Sequence, residues 1–231
     1  MTSGGFAQAH ELLAPEFTKA TGIPVETALG SSMGASPTSI PNRLAKGEVA
    51  DVVILARSSL DELANSGMVK QGTQLDLVRS SIGLSVRQGA PVPDISTEEK
   101  LKQVLLNARS IAYSASASGT YFETEMLKKL GIHDQVMPKS RKILTERVGV
   151  VVARGDAEVG LQQVSELLPI PGTTFVGKIP ESAQRYTVFS AGEASTSTNA
   201  RGLEALLKYY TSPSVRKTVT DTGLEPVAHP R

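Results

Sequence analysis

Apolar and polar positions along this chain alternate between two periods, one suited to helices and one to strands. Phe6 to Thr21 is helical by period: Phe6, Leu12, Leu13 and Phe17 share one broad face, and Gly22 supplies the stop. Pro24-Val25-Glu26-Thr27-Ala28-Leu29 follows as a short strand. Ile40 to Lys46 is predicted as a helix, with Pro41 in its first turn and Gly47 beyond its end. Ala50 to Ala56 is a nearly continuous apolar run of the kind buried in a parallel sheet, and Leu60 to Ser66, closed by Gly67, is the helix after it.

The alternation continues. Ser80 to Val86 reads as a strand, and a Pro-rich turn at Gly89 to Pro93 leads to a helix from Thr97 to Leu106. Ser110 to Tyr113 is a strand, and Tyr121 to Leu130 is a helix closed by Gly131. Leu144 to Arg154 mixes strand and helix character. Val159 to Gln162 and Tyr186 to Phe189 are strands; Arg201 to Thr211 and Ser214 to Thr220 are helices. Strands alternating with helices define an α/β chain built on parallel sheet.

Three loops in this pattern are rich in small residues, and each feeds a helix. They are Thr2-Ser3-Gly4-Gly5, Gly30-Ser31-Ser32-Met33-Gly34 and Ser114-Ala115-Ser116-Ala117-Ser118-Gly119-Thr120. Backbone N–H groups at a helix start, with the positive end of the helix dipole, favour an anion. Ser and Thr hydroxyls add donors without adding charge. The plainer reading of the same residues is helix capping. For His10 and for Glu123 and Glu125 the sequence favours exposed helix positions, and for Tyr121 a packed one.

Composition narrows the field. The 231 residues are 40% hydrophobic and 20% charged, enough to bury a substantial core in one domain or two small lobes. A net charge of +1 gives no pull toward nucleic acid or an anionic membrane surface. No apolar run reaches the roughly 18 residues of a membrane-spanning helix. Without cysteine there are no disulfides, and His10, His133 and His229 stand in unrelated contexts, so no metal site is expected. No cofactor is expected either. The opening residues read as the end of a strand entering a helix, as though a signal peptide and the start of that strand had been removed.

The order of short signatures resembles the type II periplasmic solute-binding proteins, in their molybdate-binding-protein-like branch. Glu16-Phe17-Thr18-Lys19-Ala20-Thr21-Gly22-Ile23-Pro24-Val25 comes first, followed by Gly30-Ser31-Ser32 and by Ala45-Lys46-Gly47-Glu48-Val49-Ala50-Asp51-Val52-Val53-Ile54. Ser118-Gly119-Thr120-Tyr121, Leu127-Lys128-Lys129-Leu130-Gly131-Ile132, Arg154-Gly155-Asp156-Ala157-Glu158-Val159-Gly160-Leu161 and Thr211-Ser212-Pro213-Ser214-Val215-Arg216 complete the series. Together they cover nearly the whole chain.

The resemblance implies two α/β lobes, 1–80 plus 190–231 and 81–189, joined by crossing strands at Ser80–Val86 and Tyr186–Phe189, with a ligand held between them. It implies a periplasmic monomer that serves a membrane transporter of the ABC type. It also exposes departures. Gly5 stands where molybdate binders carry an oxyanion-binding serine, Leu161-Gln162-Gln163-Val164 replaces a segment with a ligand tyrosine, and Met33 to Asn42 is rebuilt. Arg147 falls where the family has a ligand-contacting helix start, and a guanidinium pairs a planar carboxylate bidentately. The expected ligand is therefore a di- or tricarboxylate, with molybdate or another oxyanion as a lesser alternative.

The expected contacts are Ser3, Gly4, Gly5, Ser31, Ser32, Ser116, Ser118, Thr120, Arg147, Val148 and Gln163, with Gln162 beside them. The branch includes an aconitate isomerase, so the resemblance implies two functions: a binding receptor, or an enzyme shifting the double bond of aconitate. No histidine or carboxylate within the three loops offers itself as the proton-transfer group.

Overall fold

The computed structural model describes residues 1–228, so His229 lies outside the described residues. The chain divides into two compact units, Met1–Ser80 with Thr187–Arg231, and Ser81–Tyr186.

The first unit opens with β1 (Thr2–Ser3), α1 (Gly4–Thr21), β2 (Leu29–Gly30), α2 (Ile40–Ala45), β3 (Val52–Ala56), α3 (Arg57–Asn65) and β4 (Leu75–Ser80). The second holds β5 (Ile82–Arg87), α4 (Glu98–Asn107), β6 (Ile111–Ser114) and α5 (Ala117–Tyr121). It continues with a π-helical turn (Phe122–Met126), α6 (Leu127–Lys129), α7 (His133–Val136), β7 (Ser140–Ile143), α8 (Val148–Arg154), β8 (Val159–Gln163), α9 (Val164–Leu167) and β9 (Thr173–Lys178). The chain then returns to the first unit with β10 (Thr187–Glu193), α10 (Ala200–Tyr210), α11 (Arg216–Asp221) and β11 (Glu225–Pro226).

The first unit's sheet runs β11-β4-β10-β3-β1-β2. β1 is parallel to β2 and β3, whereas β10 is antiparallel to β3 and β4. The second unit's sheet runs β7-β6-β8-β5-β9, with β6 parallel to β7 and β8, and β5 antiparallel to β8 and β9. The class is α/β, and its sheets are mixed rather than wholly parallel. In the first unit β1 and β2, which carry two of the small-residue loops, are parallel. In the second β6, which carries the third, is parallel to β7 and β8, so the C-terminal ends of these strands share one end of each sheet. That is where open α/β sheets hold ligands.

Several boundaries differ from the periodicity. The strand expected at Pro24 to Leu29 shrinks to Leu29–Gly30, because its partner β1 offers only two residues, Thr2 and Ser3, to pair with. β7 and β9 escape the apolar pattern because they are the edge strands of their sheet: β7 reads Ser-Arg-Lys-Ile, and β9 is only half buried. β4 was hidden by Asp76 and Arg79 within its run. The segment 144–154 resolves into a loop and α8, closed by Gly155 at φ +86. The helix expected from Tyr121 begins earlier, at Ala117, inside the Ser-rich loop. Gly119 permits that turn, since a Cβ there would lie 1.6 Å from the Ser114 carbonyl oxygen.

The second unit's main core gathers Ile82, Leu84, Val86, Leu101, Leu105, Phe122, Met126 and Leu161 on one face of its sheet. Its other face packs Ala112, Ile143, Val148, Val151 and Val152. Gly160 lets α8 lie directly on that face: a Cβ there would come within 2.6 Å of Val148 Cγ1 and 2.7 Å of Val152 Cγ2. The start of α8 is thereby brought against the end of β8.

Candidate functional site

In the first unit the end of β1 turns straight into α1. Ser3 is the N-cap residue, buried to 1% exposure, yet its side chain makes no capping bond and its Oγ has no hydrogen-bond partner. Gly4 and Gly5 form the first turn of α1. A Cβ on Gly5 would sit 2.0 Å from Phe189 Cζ, so packing against β10 demands glycine there. A side chain at position 5, the serine that the resemblance expects included, is thus excluded by packing in this chain.

The hydroxyls after β2 are used in folding. Ser31 Oγ donates to the Met33 carbonyl (2.8 Å). Ser32 is fully buried, and its Oγ accepts the Ala56 N–H (2.9 Å), tying this loop to the end of β3. His10, expected on an exposed helix face, is instead buried at 6% exposure. The reason is that α1 is covered by α10: His10 Nδ1 pairs with Tyr210 Oη (2.8 Å) and Nε2 with Thr27 Oγ1 (2.7 Å). Burial pulls its pKa down to about 4 and pushes that of the Tyr210 phenol up, so the pair is neutral at physiological pH.

In the second unit Ser116 caps the start of α5 by position, without a side-chain bond. Ser118 Oγ pairs with Ser114 Oγ (3.1 Å), which also accepts the Ser116 N–H (3.4 Å). Thr120 is exposed one turn on, and its N–H donates to the Ser116 carbonyl. Tyr121 is packed, donating its hydroxyl to the Ala183 carbonyl (3.0 Å).

Arg147 is the half-buried N-cap residue of α8. The first N–H of that helix, on Val148, donates to Gln162 Oε1 (2.9 Å), and Gln162 Nε2 in turn donates to Glu166 Oε1 (2.9 Å). Gln163, the buried N-cap residue of α9, lies between them in sequence. Glu166 is only 8% exposed. Desolvation raises its pKa to about 7, against the charge of Arg147, which draws it down.

The structure therefore gathers Ser116, Ser118, Arg147, Val148 and Gln163 at one end of the second unit's sheet, and Ser3 to Gly5 with Ser31 and Ser32 at one end of the first unit's sheet. Glu166 was missed. Its signal was there to read, because it is the lone acid in the otherwise uncharged run from Val159 to Ile170, and an acid in such a run is buried with a partner. Among the described residues no group of three His, Cys, Asp or Glu side chains is placed to hold a metal ion, and no helix is long and apolar enough to cross a membrane.

A family model for bacterial extracellular solute-binding protein matches residues 1–225. The chain is 44% identical over 227 residues to an aconitate isomerase of Pseudomonas sp., covering 98% of this chain and 87% of that one. Its fold matches the periplasmic molybdate-binding protein of Azotobacter vinelandii at a TM-score of 0.76 and 22% identity, over 100% of this chain and 98% of that one. It also matches Peb3 from Campylobacter jejuni at a TM-score of 0.69 and 15% identity, over 99% and 98%. The chain belongs to the bacterial extracellular solute-binding protein family.

Proposed function

We propose that this protein binds aconitate and interconverts its cis and trans isomers. The observation that carries this reading is the 44% identity to an aconitate isomerase over 98% of the chain. The chemistry of the candidate residues supports it. Arg147, at a helix start, suits a planar carboxylate through paired N–H donors. Ser3, Ser116 and Ser118 supply neutral hydroxyls near two further helix starts. Where the resemblance to molybdate binders expects an oxyanion-binding serine and tyrosine, this chain has Gly5 and the stretch Leu161-Gln162-Gln163-Val164, which argues against molybdate.

The isomerisation is a proton shift. A proton leaves the methylene carbon next to the alkene, the double bond moves over by one position, and a proton returns to the far alkene carbon. Nothing is gained or lost overall. The intermediate spreads negative charge over a carboxylate-enolate system, which N–H, hydroxyl and guanidinium donors stabilise more than they stabilise the ground state.

The family itself favours a second reading, in which the protein captures the carboxylate and delivers it to a membrane transporter without turnover. One experiment separates the two: purified protein is mixed with cis- and trans-aconitate in deuterated water and followed by proton NMR. Interconversion with deuterium uptake is the expected result. Thermal stabilisation by one isomer without turnover would instead leave a receptor, and stabilisation by neither would remove the carboxylate ligand altogether.

A further inference from the structure

Among the described residues Glu166 is the acid that folding buries, and its surroundings give it a task. Its carboxylate receives the Nε2 donor of Gln162 (2.9 Å), and the other end of the same amide receives the first N–H of α8, on Val148 (2.9 Å). An amide held this way has one orientation. Turning it over would set its NH₂ against the Val148 N–H and its carbonyl oxygen against a carboxylate. The ionised acid thus fixes the start of α8 through a single intermediary, and Arg147 is the residue just before that start.

We propose that Glu166 is a positioning residue of the ligand site, setting the beginning of α8 and the placement of Arg147 through Gln162. This rests on the reading above that Arg147 receives a carboxylate of the ligand. α9 packs against α8, β5 and β8. The charged side chains on those elements are Arg154 at the far end of α8 and Arg87 at the far end of β5, while β8 carries none. Arg154 is paired with Glu146 and Asp156. Arg147 is the charge that acts on Glu166.

Protonated, Glu166 can donate as well as accept, so the amide loses its enforced orientation. Burial brings that change close to neutral pH. A ligand that binds Arg147 as the ionised acid places it favours that ionised acid, and by linkage the proton weakens binding.

The test begins with the ligand-free protein. The amide resonance of Val148 in the wild type should titrate with a midpoint near neutral pH, and the titration should vanish in Glu166→Gln, which keeps the size and the acceptor. Calorimetry then gives the affinity for trans-aconitate at pH 6 and pH 8. The wild type should lose about tenfold more on acidification than Glu166→Gln, whose own change reports the ligand's ionisation. A Val148 amide that does not titrate in the wild type overturns the proposal without recourse to any variant. So does a Glu166→Gln protein with wild-type pH behaviour. If the wild type binds no aconitate while the Val148 titration is present and depends on Glu166, the control of α8 stands and the reading of the ligand falls.

Discussion

The starts of α1 and α8 solve the same problem in opposite ways. At α1 the chain turns from strand to helix with almost no side chains: Ser3 makes no capping bond, Gly4 and Gly5 follow, and the ring of Phe189 presses on Gly5. At α8 side chains crowd the turn: Arg147 precedes it, Gln162 holds its first N–H, and Glu166 holds Gln162. Each region also buries a titratable group. His10 is neutral between two hydroxyls and locks α1 to α10 and the loop at Thr27, whereas Glu166 faces one amide and the charge of Arg147. A buried ionisable group with neutral partners on both sides builds the fold. One held beside a cation at a helix start is, on the proposal above, the one that responds to a ligand.

The largest effect should come from refilling the bare turn. Gly5→Ala puts a Cβ 2.0 Å from Phe189 Cζ, and the roughly 1 kcal/mol of helix propensity gained cannot offset an overpacking cost of about 3 kcal/mol. Gly149→Ala, in the first turn of α8, meets only Ile170 side-chain atoms, at 2.9 Å and beyond, and should cost about 1 kcal/mol. Thermal unfolding of both variants, with Phe189→Leu added to the first as a rescue, checks the ranking. Equal losses at the two sites would erase the contrast.

This contrast shows what the sequence could and could not announce. The helix at Phe6 to Thr21 and the strand around Val53 were readable because their apolar period or run is set by burial, and burial here coincides with regular structure. β7 and β9 were not, because an edge strand needs no apolar face. Ser3 and Ser116 do stand at helix starts, whereas Ser31 and Ser32, expected to feed a helix, lie well before α2, which Ser39 caps; and two of the tasks in these loops depend on neighbours far off in sequence. Ser32 answers to Ala56, and the glycine at position 5 answers to Phe189. Glu166 was legible only as an acid in an uncharged run; that it reaches Val148 through Gln162 needed the parallel strands that set β8 beside α8.

The two buried groups should give stability opposite signs of pH dependence. His10 is held at about 4 against an ordinary 6.5, so its contribution is complete above about pH 6.5 and is lost as pH falls toward 4. Glu166 is raised to about 7 from 4.5, so its contribution is complete below about pH 4.5 and is lost as pH rises through 7. Each effect amounts to roughly 3 kcal/mol at most. Denaturant titrations from pH 4 to pH 8 should therefore find Glu166→Gln more stable than the wild type at pH 8, with the gap closing by pH 4.5. His10→Gln should show its deficit at pH 8 and recover relative to the wild type on acidification. Parallel profiles for the wild type and both variants would end the comparison.

The smallest change in stability is expected at Ser3, and there it is most telling. Its Oγ is buried without a hydrogen-bond partner, so Ser3→Ala removes an uncompensated polar group and should leave stability unchanged or raise it by up to about 1 kcal/mol. Ser32→Ala is the control, since it strands the buried Ala56 N–H and should cost about 1–3 kcal/mol. If Ser3 serves the ligand, its alanine variant should bind aconitate about tenfold more weakly, near 1.4 kcal/mol, while unfolding at or above the wild-type temperature. Stability and binding would then move in opposite directions, which a hydroxyl kept only for folding cannot produce. A Ser3→Ala protein that binds aconitate as tightly as the wild type would remove the bare turn of α1 from the site and leave the start of α8 to carry the recognition.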